Sequence, residues 1–236
     1  MTVFVVLPTY NEAENISRLV PELMALPVDL NVVVVDDNSP DDTGQLAEDL
    51  AVRYPQRMFV MHRSAKLGLG TAYLTGYKCA FGMGADFILT MDADFSHPPK
   101  DIPAMVARAA QADVVIGSRY VAGGAMISLW QRRLLSRLAN ALACWLLGLQ
   151  ARDVTAGFRL YRRAVLESVP LDRIFSSGYS FLIEMLYLVQ QRGWRVAEVP
   201  ITYRDRVSGQ SKISQNEIFK ALYTVARLTF RRMRGK

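Results

Sequence analysis

Val3-Phe4-Val5-Val6-Leu7-Pro8-Thr9-Tyr10-Asn11-Glu12 stands at the start of the chain, an apolar run of strand length that ends in polar residues. The same arrangement recurs twice: residues 32–35 precede Asp36-Asp37-Asn38-Ser39, and residues 87–91 lead into Asp92-Ala93-Asp94. Continuous apolar strands are typical of a parallel sheet that is covered on both faces. Because ligands bind beyond the carboxyl ends of such strands, the three polar clusters are predicted to line one crevice.

The rest of the chain extends this pattern. Further strands are predicted at residues 58–61 and 113–116, with helices between the strands at residues 12–26, 43–53, 69–82 and 101–110. In the second half we predict helices at residues 128–148, 181–191 and 216–234, a strand at 195–203 and a polar loop at 204–215. The pattern indicates an α/β fold: a Rossmann-like, mostly parallel sheet with helices on both faces, followed by C-terminal amphipathic helices.

The composition favours one folded domain. The chain has 236 residues, 51% of them hydrophobic and 21% charged, so burial can offset the ordering entropy that keeps polar chains disordered. Cys79 and Cys144 form neither a disulfide framework nor a metal-ligand spacing, and we expect both to be reduced. The longest stretch without a charge has 14 residues, fewer than the roughly 20 that span a bilayer. Since the start has no basic leader, we expect a cytoplasmic chain, neither secreted nor membrane-spanning.

The net charge of +6 hides an uneven distribution. Residues 1–101 hold 14 acids and 7 bases, whereas residues 102–236 hold 8 acids and 21 bases. The last 17 residues carry six cations and no acid. A basic second half predicts an anionic partner, and the candidates are nucleic acid, a phosphate-bearing ligand and a membrane surface.

Asp92 and Asp94 are the strongest candidates for metal ligands. Two carboxylates one residue apart at the end of a strand can hold a divalent cation, which in turn binds a diphosphate. Their hard oxygen atoms favour Mg²⁺ or Mn²⁺ over zinc. Such a cation neutralises the charge that develops on a departing nucleoside diphosphate.

These motifs, in this order, resemble the family 2 glycosyltransferases with the GT-A fold, and more narrowly the dolichol-phosphate (polyprenol-phosphate) mannosyltransferases. The resemblance covers nearly the whole chain, with one small departure at Ala156, where the family usually has Ser. The matching segments are residues 6–12, 35–43 and 91–98, Gly117-Ser118-Arg119-Tyr120, Thr155-Ala156-Gly157-Phe158-Arg159, Arg206-Val207-Ser208-Gly209-Gln210-Ser211-Lys212, and Asn216-Glu217-Ile218.

The resemblance implies a role for each matching residue on the donor side. The nucleoside, its base and its ribose would be contacted by Pro8, Tyr10, Glu12, Val35 and Asp37. The metal would be held by Asp92 and Asp94, with Ser96 or a water completing its shell. The nucleotide-sugar site would also include Ala93, Arg119, Arg206 and Lys212, the last two on a loop that closes over the diphosphate.

The activity that the resemblance implies is transfer of mannose from GDP-mannose to a polyprenyl phosphate. The predicted mechanism is a single in-line displacement with inversion, which gives a β-linked product and free GDP. A phosphate monoester, with a second pKa of about 6, needs no strong base, but two anions must be held together by cations. We expect Asp94 and Arg119 to be catalytic and Arg119 and Arg132 to bind the acceptor phosphate, with Arg133 as a substitute for Arg132. Glu184 lies where related transferases place an acidic base, and would orient sugar hydroxyls or a catalytic residue.

The lipid part of such an acceptor needs apolar surface. The last helix is predicted to present an apolar stripe (Phe219, Leu222, Ala226, Phe230, Met233) beside a basic one (Lys220, Arg227, Arg231, Arg234). This pattern predicts peripheral contact with the cytoplasmic face of a membrane. We therefore divide the chain into a catalytic domain, residues 1–215, and a membrane-contact helix, residues 216–236. Docking of the stripe on the core is the alternative. A second candidate surface contains Trp130 and four leucines between residues 134 and 142, and core burial is its equal alternative. A separate anchoring subunit is left open.

Other function classes fit less well. Gly68-Leu69-Gly70 suggests a dinucleotide-dependent oxidoreductase, but Tyr73 occupies the third glycine position and the motif does not follow the first strand. We expect no nucleic-acid binding, because the cations lie beside apolar stripes and no binding module is present. A non-catalytic nucleotide-sugar sensor is opposed by the intact Asp92 and Asp94. Transfer of glucose or another sugar from UDP to the same lipid phosphate stays open.

Overall fold

The computed structural model describes residues 1–178, 180–204 and 215–234, with side chains in the last segment from Phe219 onward. Nine strands occur in these residues: β1 (Val3–Thr9), β2 (Leu30–Asp36), β3 (Met58–His62), β4 (Phe87–Thr90), β5 (Val114–Ser118), β6 (Ala125–Ile127), β7 (Arg159–Arg162), β8 (Val196–Pro200) and β9 (Thr202–Arg204). Seven strands form one sheet in the order β3-β2-β1-β4-β7-β5-β8, in which only β7 is antiparallel to its neighbours. β6 and β9 form a separate parallel pair.

Eight α-helices accompany the strands among the described residues. They are α1 (Ala13–Met24), α2 (Thr43–Arg53), α3 (Leu69–Gly82), α4 (Ile102–Arg108), α5 (Trp130–Leu147), α6 (Arg163–Ser168), α7 (Ser180–Gln191) and α8 (Gln215–Met233). None of the helices in the described part of the chain combines the length and the apolar character needed to cross a membrane. The division of the chain at residue 215 into a catalytic domain and a membrane-contact helix stays a prediction.

The core has two halves, one on each face of the large sheet. Successive strand residues point to opposite faces, so Val5 and Val6 of β1 belong to different apolar clusters. One cluster packs under α3 and α7, and the other under α1 and α4. Each fully buried aliphatic side chain stabilises the fold by about 1.5–3 kcal/mol. The approach is closest at Gly76 of α3, where an added Cβ would lie 2.3 Å from Val6 Cγ1.

The structure confirms the mostly parallel sheet with helices on both faces and differs from the prediction in three places, one of them the unpredicted short strand β6. The predicted strand at residues 195–203 is two strands, β8 in the large sheet and β9 in the small one. β7, followed by α6, was not predicted at all. It enters the large sheet between β4 and β5, so the segment before it, residues 153–158, lies at the carboxyl edge of the parallel strands.

Candidate functional site

The carboxyl ends of β1, β2, β4 and β5 lie at one edge of the large sheet, and the predicted site residues follow them. Thr9 and Asp36 join two of these ends, because Thr9 Oγ1 donates a hydrogen bond of 3.1 Å to Asp36 Oδ1. The backbone N–H of Asp37 donates to the Thr9 carbonyl at 3.0 Å. The clusters after β1 and β2 therefore form one rigid wall of the crevice.

The side of the crevice that is predicted to bind the nucleoside contains two cations that the sequence motifs did not include. Arg63 Nη1 lies 2.7 Å from Asp37 Oδ1, and both side chains are almost buried. Burial raises the pKa of Asp37, and the Arg63 guanidinium offsets only part of this. Lys66 Nζ lies 3.9 Å from the centre of the Tyr10 ring. Both cations follow β3, whose carboxyl end lies at the same edge of the sheet. Their position after a predicted strand could therefore have identified them as candidate site residues.

Three other residues predicted to contact the nucleoside have different surroundings. Glu12 Oε2 accepts a hydrogen bond of 2.7 Å from Asn15 Nδ2, and the Glu12 N–H donates to Thr43 Oγ1 at 2.9 Å, so Glu12 holds the start of α1. Pro8 is partly exposed at the end of β1. The Val35 side chain is fully buried in the core beneath α3, so only its backbone could contact a nucleoside, and that contact stays a prediction.

The segment after β4 forms a tight turn around Asp94. Asp94 Oδ1 accepts the Ser96 N–H at 3.0 Å, and Phe95 between them has a φ of 60°, in the left-handed region. Asp92 is partly exposed and Asp94 is buried. The Ala93 side chain belongs to the core, so it too has only its backbone to offer a ligand, and its place in the nucleotide-sugar site stays a prediction.

The residues of this turn fit a hard divalent cation. Ser96 Oγ is buried without a hydrogen-bond partner, and it follows the two carboxylates at the same spacing. Among residues 1–178, 180–204 and 215–234, no three His, Cys, Asp or Glu side chains form a complete metal cage. Mg²⁺ characteristically takes one or two carboxylates and completes its shell with water and substrate phosphates. Two carboxylates with one hydroxyl therefore suit a cation that is shared with a diphosphate.

His97 supports this turn from behind. Its Nδ1 accepts the Asp92 backbone N–H at 3.0 Å, which places the ring proton on Nε2. The ring stacks on Phe158, with 5.2 Å between centroids, and Tyr203 packs edge-on at 6.1 Å. Burial lowers the pKa of His97. His97 lies within the matching segment of residues 91–98, and no role was predicted for it.

Arg119 is bound to a buried carboxylate that the sequence did not single out. Its Nε and Nη2 donate to the two oxygens of Asp153 at 2.7 and 2.6 Å, and Nη2 also donates to Thr155 Oγ1 at 2.7 Å. Burial alone would raise the pKa of Asp153, but the hydrogen bonds and charge of Arg119 outweigh it and hold that pKa below its ordinary value. The guanidinium is thus fixed in one orientation at the end of β5.

Tyr203 of β9 lies between the two sides of the site. Burial raises the pKa of Tyr203, Asp92 and Asp94 raise it further, and Arg119 and Arg132 lower it. The Arg119 guanidinium carbon lies 5.4 Å from the centre of the Tyr203 ring. The Tyr203 ring therefore lies between Arg119 and His97, the residue that binds the backbone of the predicted metal turn.

Two groups of predicted residues are not part of this arrangement. Glu184 is buried in α7, where its Oε2 accepts the Ser176 N–H at 2.9 Å and the Ser176 hydroxyl at 2.5 Å. Those bonds give it a structural task in holding the loop before α7. Arg206 and Lys212 lie outside the described residues.

The exposed faces of α5 and α8 carry the predicted apolar side chains. We call this the α5–α8 surface, formed by Trp130, Leu134, Leu135, Leu138, Leu142, Trp145, Phe219, Leu222, Tyr223, Phe230 and Met233, whose exposed fractions range from 46 to 76%. A different stripe of α8, containing Val225 and Leu228, is buried as the helix packs on α5 and α7. The stripe proposed for membrane contact is therefore not the one that docks on the core.

A Rossmann-like sheet with paired carboxylates after β4 and a cation-bearing wall opposite them is the architecture of a GT-A glycosyltransferase. Residues 4–169 match the family model described as glycosyl transferase family 2. The chain belongs to this glycosyltransferase family, which confirms the predicted fold, family and enzyme class. Membership removes the oxidoreductase alternative.

Curated relatives and solved structures agree with this assignment. The chain is 44% identical over 224 residues to polyprenol monophosphomannose synthase of Mycolicibacterium smegmatis, covering 94% of this chain and 84% of that one. It is 39% identical over 229 residues to undecaprenyl-phosphate mannosyltransferase of Micrococcus luteus, covering 96% and 93%. Glucosyl-3-phosphoglycerate synthase of Mycobacterium tuberculosis, crystallised with Mn²⁺, UDP and phosphoglyceric acid, superposes with a TM-score of 0.69. That match has 21% identity over 97% of this chain and 78% of that one, and it shows the fold alone.

Proposed function

We propose that the protein transfers mannose from GDP-mannose to a polyprenyl phosphate, with inversion and with the help of a divalent metal. The observation that carries the proposal is that two groups pack against the Tyr203 ring: His97, which binds the Asp92 N–H of the predicted metal turn, and Arg119. Two anionic substrates can meet there, because carboxylates that can bind a metal lie on one side of the ring and a guanidinium that can bind a phosphate lies on the other. The names of the relatives at 44 and 39% identity support the sugar and the acceptor class.

On the donor side, the chain's own residues bind and orient the nucleotide. Asp37, fixed by Arg63, would accept hydrogen bonds from base or ribose, and Tyr10 would offer its ring beside Lys66. Asp92, Asp94 and Ser96 would hold Mg²⁺ or Mn²⁺. When bound, the cation neutralises charge on the leaving diphosphate. Glucosyl-3-phosphoglycerate synthase, which shares the fold, was crystallised with Mn²⁺ or Mg²⁺ and UDP. We also propose that Arg206 and Lys212 bind the diphosphate.

On the acceptor side, a phosphate oxygen attacks the anomeric carbon of mannose while the bond from that carbon to the diphosphate oxygen breaks. The new bond forms on the opposite face, which gives the β-linked product, and GDP leaves with the electron pair. A phosphate monoester is already ionised near neutrality, so no strong base is required. Arg119 and Arg132 would bind and orient that phosphate. The engagement of Glu184 with Ser176 agrees with a mechanism that needs no carboxylate base.

We further propose that the α5–α8 surface lies against a membrane, where the acceptor's lipid chain resides. The surface is apolar, and exposed basic residues flank it, including Arg133, Arg137, Arg227, Arg231 and Arg234. Each basic residue near an anionic lipid surface contributes about 1 kcal/mol of attraction. The enzyme would then be a peripheral membrane protein that reaches its acceptor from the surface.

Transfer of glucose from UDP-glucose to the same acceptor is the second candidate. Its support is the shared fold of a synthase crystallised with UDP-glucose. The test offers purified protein either radiolabelled GDP-mannose or radiolabelled UDP-glucose, with Mg²⁺ or Mn²⁺ and a polyprenyl phosphate in vesicles. We expect organic-extractable label from GDP-mannose only. Label from UDP-glucose instead would select the second candidate, and label from neither would overturn both.

A pair of variants tests the metal site in the same assay. Asp94→Asn should abolish metal-dependent transfer, because it removes a charged ligand while keeping the side-chain volume. Asp86→Asn is the matched control, since Asp86 lies at the opposite edge of the sheet and accepts the Thr2 N–H at 2.8 Å. Near-normal turnover of a folded Asp94→Asn protein would refute the assignment.

A further inference from the structure

α5 carries one buried polar side chain that neither the sequence motifs nor the proposed mechanism uses. Asn140 is only 4% exposed, on the inner side of the helix with Ala143 and Leu147, whereas the outer side belongs to the α5–α8 surface. A buried amide is costly unless its donor and acceptor both have partners. The hydrogen-bond partners of Asn140 therefore help to fix the position of this helix, beside its packing on α8.

Both ends of the Asn140 amide bind the segment that contains Asp153. Asn140 Oδ1 accepts the Val154 N–H at 2.9 Å, and Asn140 Nδ2 donates to the Arg152 carbonyl. The two contacts flank Asp153 on either side in the sequence. From the other direction, the carboxylate of Glu198 in β8 accepts the N–H groups of Arg152 and Asp153, at 2.8 and 3.0 Å.

Asp153 transmits this position to Arg119. It is fully buried and accepts three hydrogen bonds from Arg119: two from the guanidinium and one from the backbone N–H at 3.0 Å. A continuous chain of short hydrogen bonds thus runs from α5 through residues 152–154 to the guanidinium. A shift of α5 moves the carboxylate that orients Arg119.

We infer that Asn140 is a positioning residue that couples the seating of α5 on the lipid surface to the orientation of Arg119, and through it to the affinity for the acceptor phosphate. The inference rests on the proposed function, because it takes the acceptor phosphate as the ligand of Arg119. The exposed face of α5 then has a second task besides attaching the protein to the membrane. Its contact with lipid sets the geometry of the acceptor site.

The test compares Asn140→Leu with Gln190→Leu. Gln190 Oε1 accepts the Gln150 N–H at 3.3 Å, so the control removes a side-chain to backbone bond from the same stretch without touching residues 152–154. In anionic vesicles, Asn140→Leu should raise the KM for polyprenyl phosphate about tenfold or more, since a misplacement of about 1 Å can cost 10²-fold. The KM for GDP-mannose should stay within about twofold of wild type, and Gln190→Leu should change neither KM.

Hydrogen exchange supplies a readout that needs no turnover. Addition of the same vesicles without substrate should slow hydrogen exchange at the Val154 amide in wild type and in Gln190→Leu. In Asn140→Leu the vesicles should leave the exchange rate of this amide unchanged. An Asn140→Asp variant keeps the acceptor for Val154 and loses the donor to Arg152, so it should show the same effects more weakly if the leucine variant does not fold.

Equal losses for donor and acceptor in Asn140→Leu, or an acceptor KM no different from that of Gln190→Leu, would overturn the inference. So would vesicle-induced protection of Val154 that persists without Asn140. Failure of the wild-type protein to transfer mannose to the lipid would overturn the proposed function instead, while the exchange measurement would still decide whether α5 and residues 152–154 are coupled.

Discussion

Replacing Asp153 by Asn should destabilise the protein strongly at neutral pH. The change removes the charge that faces Arg119 across two hydrogen bonds of 2.6 and 2.7 Å, at a position that is fully buried. Removing one partner of a buried ion pair costs roughly 3–5 kcal/mol, because the other charge stays behind unpaired. Asn retains one oxygen acceptor, so we expect the lower end, about 3 kcal/mol. For a chain of this length that corresponds to a Tm lower by about 6–12 °C.

The pH dependence of the unfolding free energy provides a second test of this prediction. The pKa of Asp153 is lower in the folded protein than in the unfolded chain, so its ionised form stabilises the fold at every pH above the unfolded value. That contribution is lost as the pH falls through the folded pKa. The unfolding free energies of wild type and variant in urea should therefore differ fully at neutral pH, begin to converge near pH 4 and meet below the folded pKa of Asp153.

Asp113→Asn is the matched control for this measurement. Asp113 also binds arginines and also has a lowered pKa, which its hydrogen bonds to Arg195 and Arg162 produce against the effect of burial. Its partner Arg195 is 67% exposed, so solvent screens the pair and the loss should be much smaller. Equal unfolding free energies for wild type and Asp153→Asn, or a difference that persists in acid, would refute the buried ion-pair reasoning.

Two further predictions concern packing and the lipid surface. Gly76→Ala should lower the unfolding free energy by about 1–3 kcal/mol, since its Cβ would lie 2.3 Å from Val6 Cγ1. Gly82→Ala in the same helix meets nothing within 4 Å and should be neutral or stabilising; equal losses in the two variants would contradict the close approach. Trp145→Gln should reduce flotation with anionic vesicles, because the ring is 76% exposed on the α5–α8 surface. Val52→Gln, at 81% exposure on α2, should leave flotation unchanged, and equal flotation of both variants would exclude that surface.

Most of the fold could be predicted from local pattern. The helices at residues 43–53 and 69–82 have the predicted bounds, because amphipathic stretches between continuous apolar strands leave few alternatives. β7 could not be predicted, because charged residues at both ends are atypical of a central strand. Arg159 is fully buried there, and its guanidinium donates to the carbonyls of Val154, Ala156 and Leu182. One of those partners lies 23 residues away, outside any local window.

The candidate site divides in the same way. Polar residues at the strand ends identify the donor edge, because their position follows from the chain direction alone. Asp153 and Tyr203 depend on long-range pairing, since each acquires its place only when a distant strand joins the edge. Val35 and Ala93 show a different limit of sequence motifs. Both lie in the matching segments, but their side chains face the core, and a motif alone does not reveal the direction of a side chain.

The antiparallel strand β7 has a consequence for how this enzyme can move. It joins β4, from the acidic first half, to β5, from the basic second half, in one hydrogen-bonded ladder. The two halves therefore share one hydrogen-bonded sheet, so closure of one half on the other cannot bring the proposed donor and acceptor sites together. The distance between the predicted metal-binding turn and the proposed acceptor arginine is therefore set when the sheet folds. What remains adjustable is the loops beyond the sheet, and variation in sugar or lipid among relatives should concentrate there.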